Sequence, residues 1–207
     1  MLLFGHIGIT LGVAKACDTM LSMSEPENSQ NSVSNSALSH SNTRKPSRFH
    51  SWRREIKRWL GTIDYRLVII GSLLPDLIDK PIFLLTGSTS LSGRDYAHSL
   101  LFNLVLLIGG LVLIRHRKSW LLVLSLSSFT HLVFDRMWTV PVTLWWPLLG
   151  PLLRGDRNAF LPKLYFRLFA PEIFIPEIIG LAILSFYAFR VTKRKSITRF
   201  IKEGIFE

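Results

Sequence analysis

Gly71-Ser72-Leu73-Leu74-Pro75-Asp76-Leu77-Ile78-Asp79 places two carboxylates three residues apart inside an otherwise apolar run, Leu67 to Leu85. On a helix, positions i and i+3 share a face, so Asp76 and Asp79 point the same way. Charge inside a segment of this apolarity is costly, and it marks function more often than chance. The fold therefore turns on what surrounds this run and on what the two carboxylates meet.

The surroundings are apolar. Of 207 residues, 48% are hydrophobic and the mean hydropathy is +0.31. That balance implies an all-α polytopic membrane bundle rather than a water-soluble domain. About five spans are expected: 1–21, 67–85, 99–114, 120–138 and 171–190. The stretch 140–153 is apolar, but Pro141, Pro147 and Pro151 break it. It is expected as a re-entrant or interfacial segment, with Trp145 and Trp146 at headgroup depth. Residues 1–21 have the length of a signal peptide, but no Lys or Arg precedes the apolar part, so a retained first helix is expected. Gly5, Gly8 and Gly12 recur along it at helical spacing and suggest close helix packing.

A single membrane domain, 1–207, is interrupted by one compositional change. Residues 22–51 are rich in Ser and Asn and nearly free of large apolar side chains, which predicts a disordered loop inserted in the domain. After it, Trp52, Ile56 and Trp59 recur at i, i+4 and i+7 among Arg and Lys, the pattern of a helix lying on an anionic membrane surface.

Lys and Arg number 25 against 14 Asp and Glu, a net charge of +11. Clusters at 44–58, 115–118 and 190–202 flank apolar runs, so they are read as positive-inside signals and no nucleic-acid partner is expected. They put the N-terminus outside the cell membrane and the basic tail, 190–207, in the cytoplasm. The basic loop 154–167 then falls outside, where Arg154, Arg157, Lys163 and Arg167 would face an anionic headgroup. The single cysteine, Cys17, excludes an internal disulfide and a multi-thiolate metal site.

With this topology the polar residues within the spans fall at one depth. His6 lies near the outer end of the first span, and Asp76 and Asp79 lie in the outer half of the second. His98 opens the third, and His131 and Asp135 are one turn apart on the fourth. Taken singly, each has a plain structural reading: an interfacial His, an N-cap after Pro75, a loop-end His, a helical hydrogen bond. Together they form a candidate site for one or two divalent metals. Imidazole and carboxylate without thiolate suit zinc, manganese or iron. Arg94 is placed to hold an anionic group. A site at that depth suits a membrane lipid or another amphiphilic, phosphate-containing substrate. Intramembrane His and Asp equally suit an ion- or proton-coupled transporter, and a non-catalytic scaffold recruiting partners through its basic segments is the third reading.

The same residues carry a family resemblance. His6, Leu74-Pro75-Asp76-Leu77-Ile78-Asp79, Arg94 with His98-Ser99, Thr130-His131 with Asp135, and then Trp146-Pro147 follow one another in this order. The order and spacing resemble the YdjM/YbcI-like membrane-bound metal-dependent hydrolases, over about residues 1–20 and 64–150. The resemblance implies a metal-dependent hydrolase in the membrane. One departure stands out. Gly93 and Ala97 occupy positions where the family pattern has His and Thr. One ligand or supporting group is then missing, unless Asp95 substitutes.

Overall fold

The structure, a computed structural model, describes residues 3–22, 55–57, 61–86, 92–152, 169–194 and 196–206. Among these residues every regular element is helical. Four helices lead: α1 (Leu3–Ser22), α2 (Tyr65–Thr86), α3 (Leu100–Ile114) and α4 (Trp120–Phe134). A 3-10 turn (Met137–Thr139) and a short α5 (Pro141–Leu144) follow, then α6 (Pro171–Lys193) and α7 (Ile197–Glu203).

α6 is long and apolar enough to cross a membrane, with a mean hydropathy of 1.7. Among the described residues it alone meets both conditions, where five spans were expected. α3 and α4 are apolar but only 15 residues long, roughly 22 Å at 1.5 Å per residue. α1 and α2 have the length, with 20 and 22 residues, but carry the polar side chains of the site.

Boundaries follow local chemistry. Ser99 caps α3, its Oγ accepting from the Phe102 amide at 3.2 Å. α4 ends one residue before Asp135, because Arg136 adopts a left-handed conformation at φ 52°. Asp135 is thus the C-cap of α4 and not a residue within its span. The reading of Asp76 as an N-cap after Pro75 does not hold, because α2 runs unbroken through both Pro75 and Pro81. Neighbouring helices hold such a segment in place when proline removes a backbone donor.

Two close approaches assemble the bundle. A Cβ built on Gly8 of α1 would collide with the Gly180 carbonyl of α6, and one on Gly180 would collide with the Phe4 carbonyl. Backbone therefore packs on backbone there, and the two helices run in parallel. At Gly71 of α2, a Cβ would stand 2.6 Å from the Leu124 carbonyl of α4. Small residues permit this spacing, which side chains elsewhere on these helices would forbid. α2 thus lies between α1 and α4, and α3 flanks α4.

The ends of the bundle differ. At one end gather the start of α1, the end of α2, the start of α3 and the end of α4, with the polar residues. At the other end the chain folds back. Arg66 donates from Nη1 to the carbonyls of Ile201 (2.6 Å) and Lys202 (3.1 Å), and the Tyr65 amide donates to the Gly204 carbonyl at 2.8 Å. Phe206 stacks on Tyr187 and Phe200. The basic tail is therefore partly folded, with α7 docked on the bundle. The stretch 140–152 holds only the one-turn α5 and further turns, as its prolines predict, and Trp145 is 46% exposed. Of the amphipathic stretch 51–60, Glu55, Ile56 and Lys57 are helical and the rest lies outside the described residues. So do the expected disordered loop, beyond Ser22, and the cations Arg154, Arg157, Lys163 and Arg167.

Candidate metal centre

α1, α2 and α4, with the turn before α3, each contribute one or two side chains. His6 comes from the second turn of α1, and Asp76 and Asp79 from the C-terminal half of α2. His98 sits in the turn before α3, His131 is in the last turn of α4, and Asp135 caps it. His6, His98, His131 and Asp79 are fully buried. Asp76 keeps 13% of its side-chain exposure and Arg94 keeps 37%, so these two form the open rim.

The two central imidazoles have their protons assigned by their partners. His131 Nδ1 lies 2.7 Å from the Ser72 carbonyl, which can only accept, so Nδ1 carries the hydrogen. His98 Nδ1 lies 2.7 Å from Asp79 Oδ2 and donates to that carboxylate. Neutral rings then present bare Nε2 lone pairs. Those two Nε2 atoms face one another at 3.3 Å. Asp76 Oδ1 stands 3.6 Å from one and 3.9 Å from the other. With both rings neutral, three electron-pair donors converge, an arrangement that a cation would relieve.

The spacing fits a metal. Ligands at 2.0–2.1 Å around a tetrahedral zinc stand about 3.3 Å apart. Asp76, His98 and His131 each offer one atom, all within 4.8 Å of one another. Asp79 is placed differently. It faces the far side of His98, and its oxygens also accept the amides of Asp95 (2.7 Å), Ala97 (3.0 Å) and His98 (3.2 Å). It orients the His98 ring from behind, as the carboxylate partners of metal-binding histidines do.

His6 belongs to a second, overlapping group with His131 and Asp135. Its Nε2 lies 3.0 Å from Asp135 Oδ1, and its ring stacks on His131 with centroids 4.0 Å apart. His6 Nδ1 is buried without a hydrogen-bond partner. The second group is the poorer cation site for two reasons. His131 has only Nε2 to give, and the first group uses it. Both Asp135 oxygens are also engaged, Oδ1 by His6 and Oδ2 by Arg94 Nη2 at 2.8 Å, whereas Lys80 takes Oδ2 of Asp76 and leaves Oδ1 facing the imidazoles.

Arg94 thus meets Asp135 rather than open space. Asp95, the candidate substitute for the missing family side chains, has its carboxylate taken up by its own turn, accepting from the amides of Ser92 (3.0 Å) and Gly93 (2.9 Å). It belongs to neither His and Asp group. Three contributors were not singled out from sequence. Lys80 bonds Asp76 Oδ2 at 2.6 Å, the Ser72 carbonyl orients His131, and Asn103 holds the His98 turn through the carbonyls of Ala97 and Ser99. Asn103 in turn accepts from Ser128 of α4 at 2.8 Å. The signals were present for two of them: Lys80 is four residues after Asp76, and Asn103 is the lone polar residue in the most apolar run.

Residues 1–198 match the family described as YdjM inner membrane protein. The chain belongs to that family. No curated protein and no solved structure matches it. YdjM membership makes the chain an inner membrane protein, in agreement with its apolar α6. The match extends beyond the stretches that carry the motifs and includes α6. In this YdjM protein, the His and Asp groups that could bind a metal lie at one end of the bundle.

Proposed function

We propose that this protein is a membrane-embedded, metal-dependent hydrolase acting on an amphiphilic ester or phosphoester. One observation carries the reading: two buried imidazole Nε2 atoms face each other at 3.3 Å beside a carboxylate, with both Nδ1 protons committed elsewhere. Asp76, His98 and His131 would hold one divalent ion, zinc or manganese by their chemistry. A bound ion would supply Lewis-acid polarisation of the substrate oxygen and a water acidic enough to attack at neutral pH.

The remaining roles belong to the protein. Asp79 and the Ser72 carbonyl fix both rings in the tautomer that leaves Nε2 free. Lys80 holds Asp76 in place at the rim. Arg94, fixed by Asp135, presents its remaining guanidinium donors toward an anionic group on the substrate. His6 supports Asp135 from below. The five-span arrangement, N-terminus outside, is part of this proposal, because it sets the site in the outer leaflet beside lipid headgroups.

Metal analysis of protein purified in mild detergent tests the reading. About one divalent ion per chain is expected in wild type, with loss in Asp76→Asn and His131→Ala. A proton shared between the two Nε2 atoms, as an ion-coupled carrier would hold, is the competing occupant. Wild type that binds no metal under conditions retaining weak ions would sink the hydrolase. Release of a phosphoester or fatty acid from lipid vesicles then identifies the bond cleaved.

A further inference from the structure

Among the described residues, the bundle is open between α1 and α4. The two helices meet at the polar end, where His6 reaches His131 and Asp135, and diverge below it. The gap is a cavity of about 430 Å³ with Val68 of α2, Ile63 just before α2 and Ile56 of the amphipathic stretch as its floor, within the range of small-molecule sites. α1 lines it with Thr10, Ala14 and Cys17, at i, i+4 and i+7. α4 lines it with Val123, Leu126 and Thr130, at i, i+3 and i+7. Each helix thus turns one continuous face to the gap. Val13, Met20 and Leu126 on its edge are 46%, 61% and 47% exposed, so it opens sideways.

Polarity is confined to one end. Thr10 and Thr130 face each other there, with hydroxyl oxygens 3.4 Å apart. Thr130 precedes His131 directly, and Thr10 lies one turn from His6. The Thr130 hydroxyl also donates to the Ser127 carbonyl and that of Ser127 to the Val123 carbonyl, so these hydroxyls are satisfied within α4. Below the threonine pair the walls are apolar down to Leu21. Thr10 to Leu21 spans roughly 16 Å of helix, about half of a 30 Å bilayer core. The gap is therefore about as long as one leaflet is thick, runs from the middle of α1 to its end opposite the metal centre, opens to the flank of the bundle, and is polar at its head.

We propose that this slot takes one acyl chain of a membrane amphiphile, its tail along Ala14, Cys17 and Leu126 and its polar end at the Thr10–Thr130 pair. The match is chemical: apolar walls of single-leaflet length end at a pair of hydroxyls, one turn along α1 from His6. Placing the headgroup at the metal centre rests on the hydrolase reading, whereas the seat for the chain does not.

Cys17 is the only cysteine of the chain and lines the slot, which makes it a reporter. The full-length protein in mild detergent is exposed to a lysophospholipid bearing a photoactivatable diazirine in its acyl chain, and adducts are mapped by mass spectrometry. Adducts concentrated on residues 13–17 and 123–130 are expected. The same lysophospholipid without the diazirine should slow maleimide labelling of Cys17, whereas its free glycerophosphate headgroup should not. Ala14→Trp fills the slot and should lower adduct yield about tenfold. Ile178→Trp, on the exposed face of α6, should leave the yield unchanged. Metal content of Ala14→Trp, measured alongside, shows whether the polar end remains assembled; the wild-type adduct map and Cys17 protection do not depend on that variant. Adducts spread evenly over α6, or Cys17 protected by raised protein concentration rather than by lipid, would overturn the proposal. Slot adducts without bound metal would leave the seat standing and remove the hydrolase; bound metal without slot adducts would do the reverse.

Discussion

Asp76 and Asp79 share a helix face but have different partners. Asp76 faces the two bare Nε2 atoms, while Asp79 is saturated by His98 and three backbone amides. Their substitutions should differ accordingly. Asp76→Asn removes a ligand and should abolish metal retention. Asp79→Asn leaves the ligand set intact but loosens the His98 ring, and should weaken metal affinity by about 10–100-fold. His6→Ala should leave metal content near wild type, because His6 pairs with Asp135 and not with the first group. Titration of each purified variant with zinc against a competing chelator distinguishes these outcomes. Equal losses in Asp76→Asn and Asp79→Asn would count against the assignment of roles.

At the level of elements, the glycine crossings are the sharpest constraint. Gly8→Val would drive a side chain into the Gly180 backbone and should cost about 2 kcal/mol or more, read as a lower melting temperature in detergent. Gly12→Ala should be tolerated, since its Cβ would meet a flexible Ile183 methyl at 3.4 Å. The docking of α7 adds a pH dependence. Arg66, hydrogen-bonded to Asp64, holds that carboxyl below its ordinary value of 3.8. A depressed carboxyl contributes stability that is complete above 3.8 and lost as pH falls through the lower folded value. Melting temperature should therefore drop below pH 4 in wild type and drop less steeply in Arg66→Gln. Gly204 sits at φ 72° against the Asp64 carboxylate, so Gly204→Ala should release the tail at any pH. Helix limits were legible to within a few residues from apolar runs and caps. The end of α4 was not, because the left-handed Arg136 that stops it has no marker in a chain where glycine would be expected.

For the whole molecule, the proposed topology places the basic turn 115–118 and α7 on the cytoplasmic side and the metal centre at the outer face. Reporter fusions active on one side only should register inside after Lys118 and after Phe206, and outside after Leu152. An inside signal after Leu152 would refute the five-span arrangement. His6, Asp76, His98, His131 and Asp135 were legible as a set from the sequence because charge in apolar runs is costly and these residues recur at matching depth. Their division into two groups was not legible, nor was the role of Asp79. Both depend on which atom of each side chain faces which partner, and helical spacing gives only the face.

The sequence by itself determined an all-helical membrane chain with polar residues at one level, through hydrophobic runs, positive flanks and motif order. Those are local properties, written in composition and period. Tertiary structure alone decided that two Nε2 atoms face each other, that Arg94 neutralises Asp135, and that α1 and α4 part into a slot. Each of these depends on how closely helices approach, and glycines at Gly8, Gly71 and Gly180 set that approach. A single-residue pattern marks where such a contact is permitted; only the packed bundle shows what it brings together.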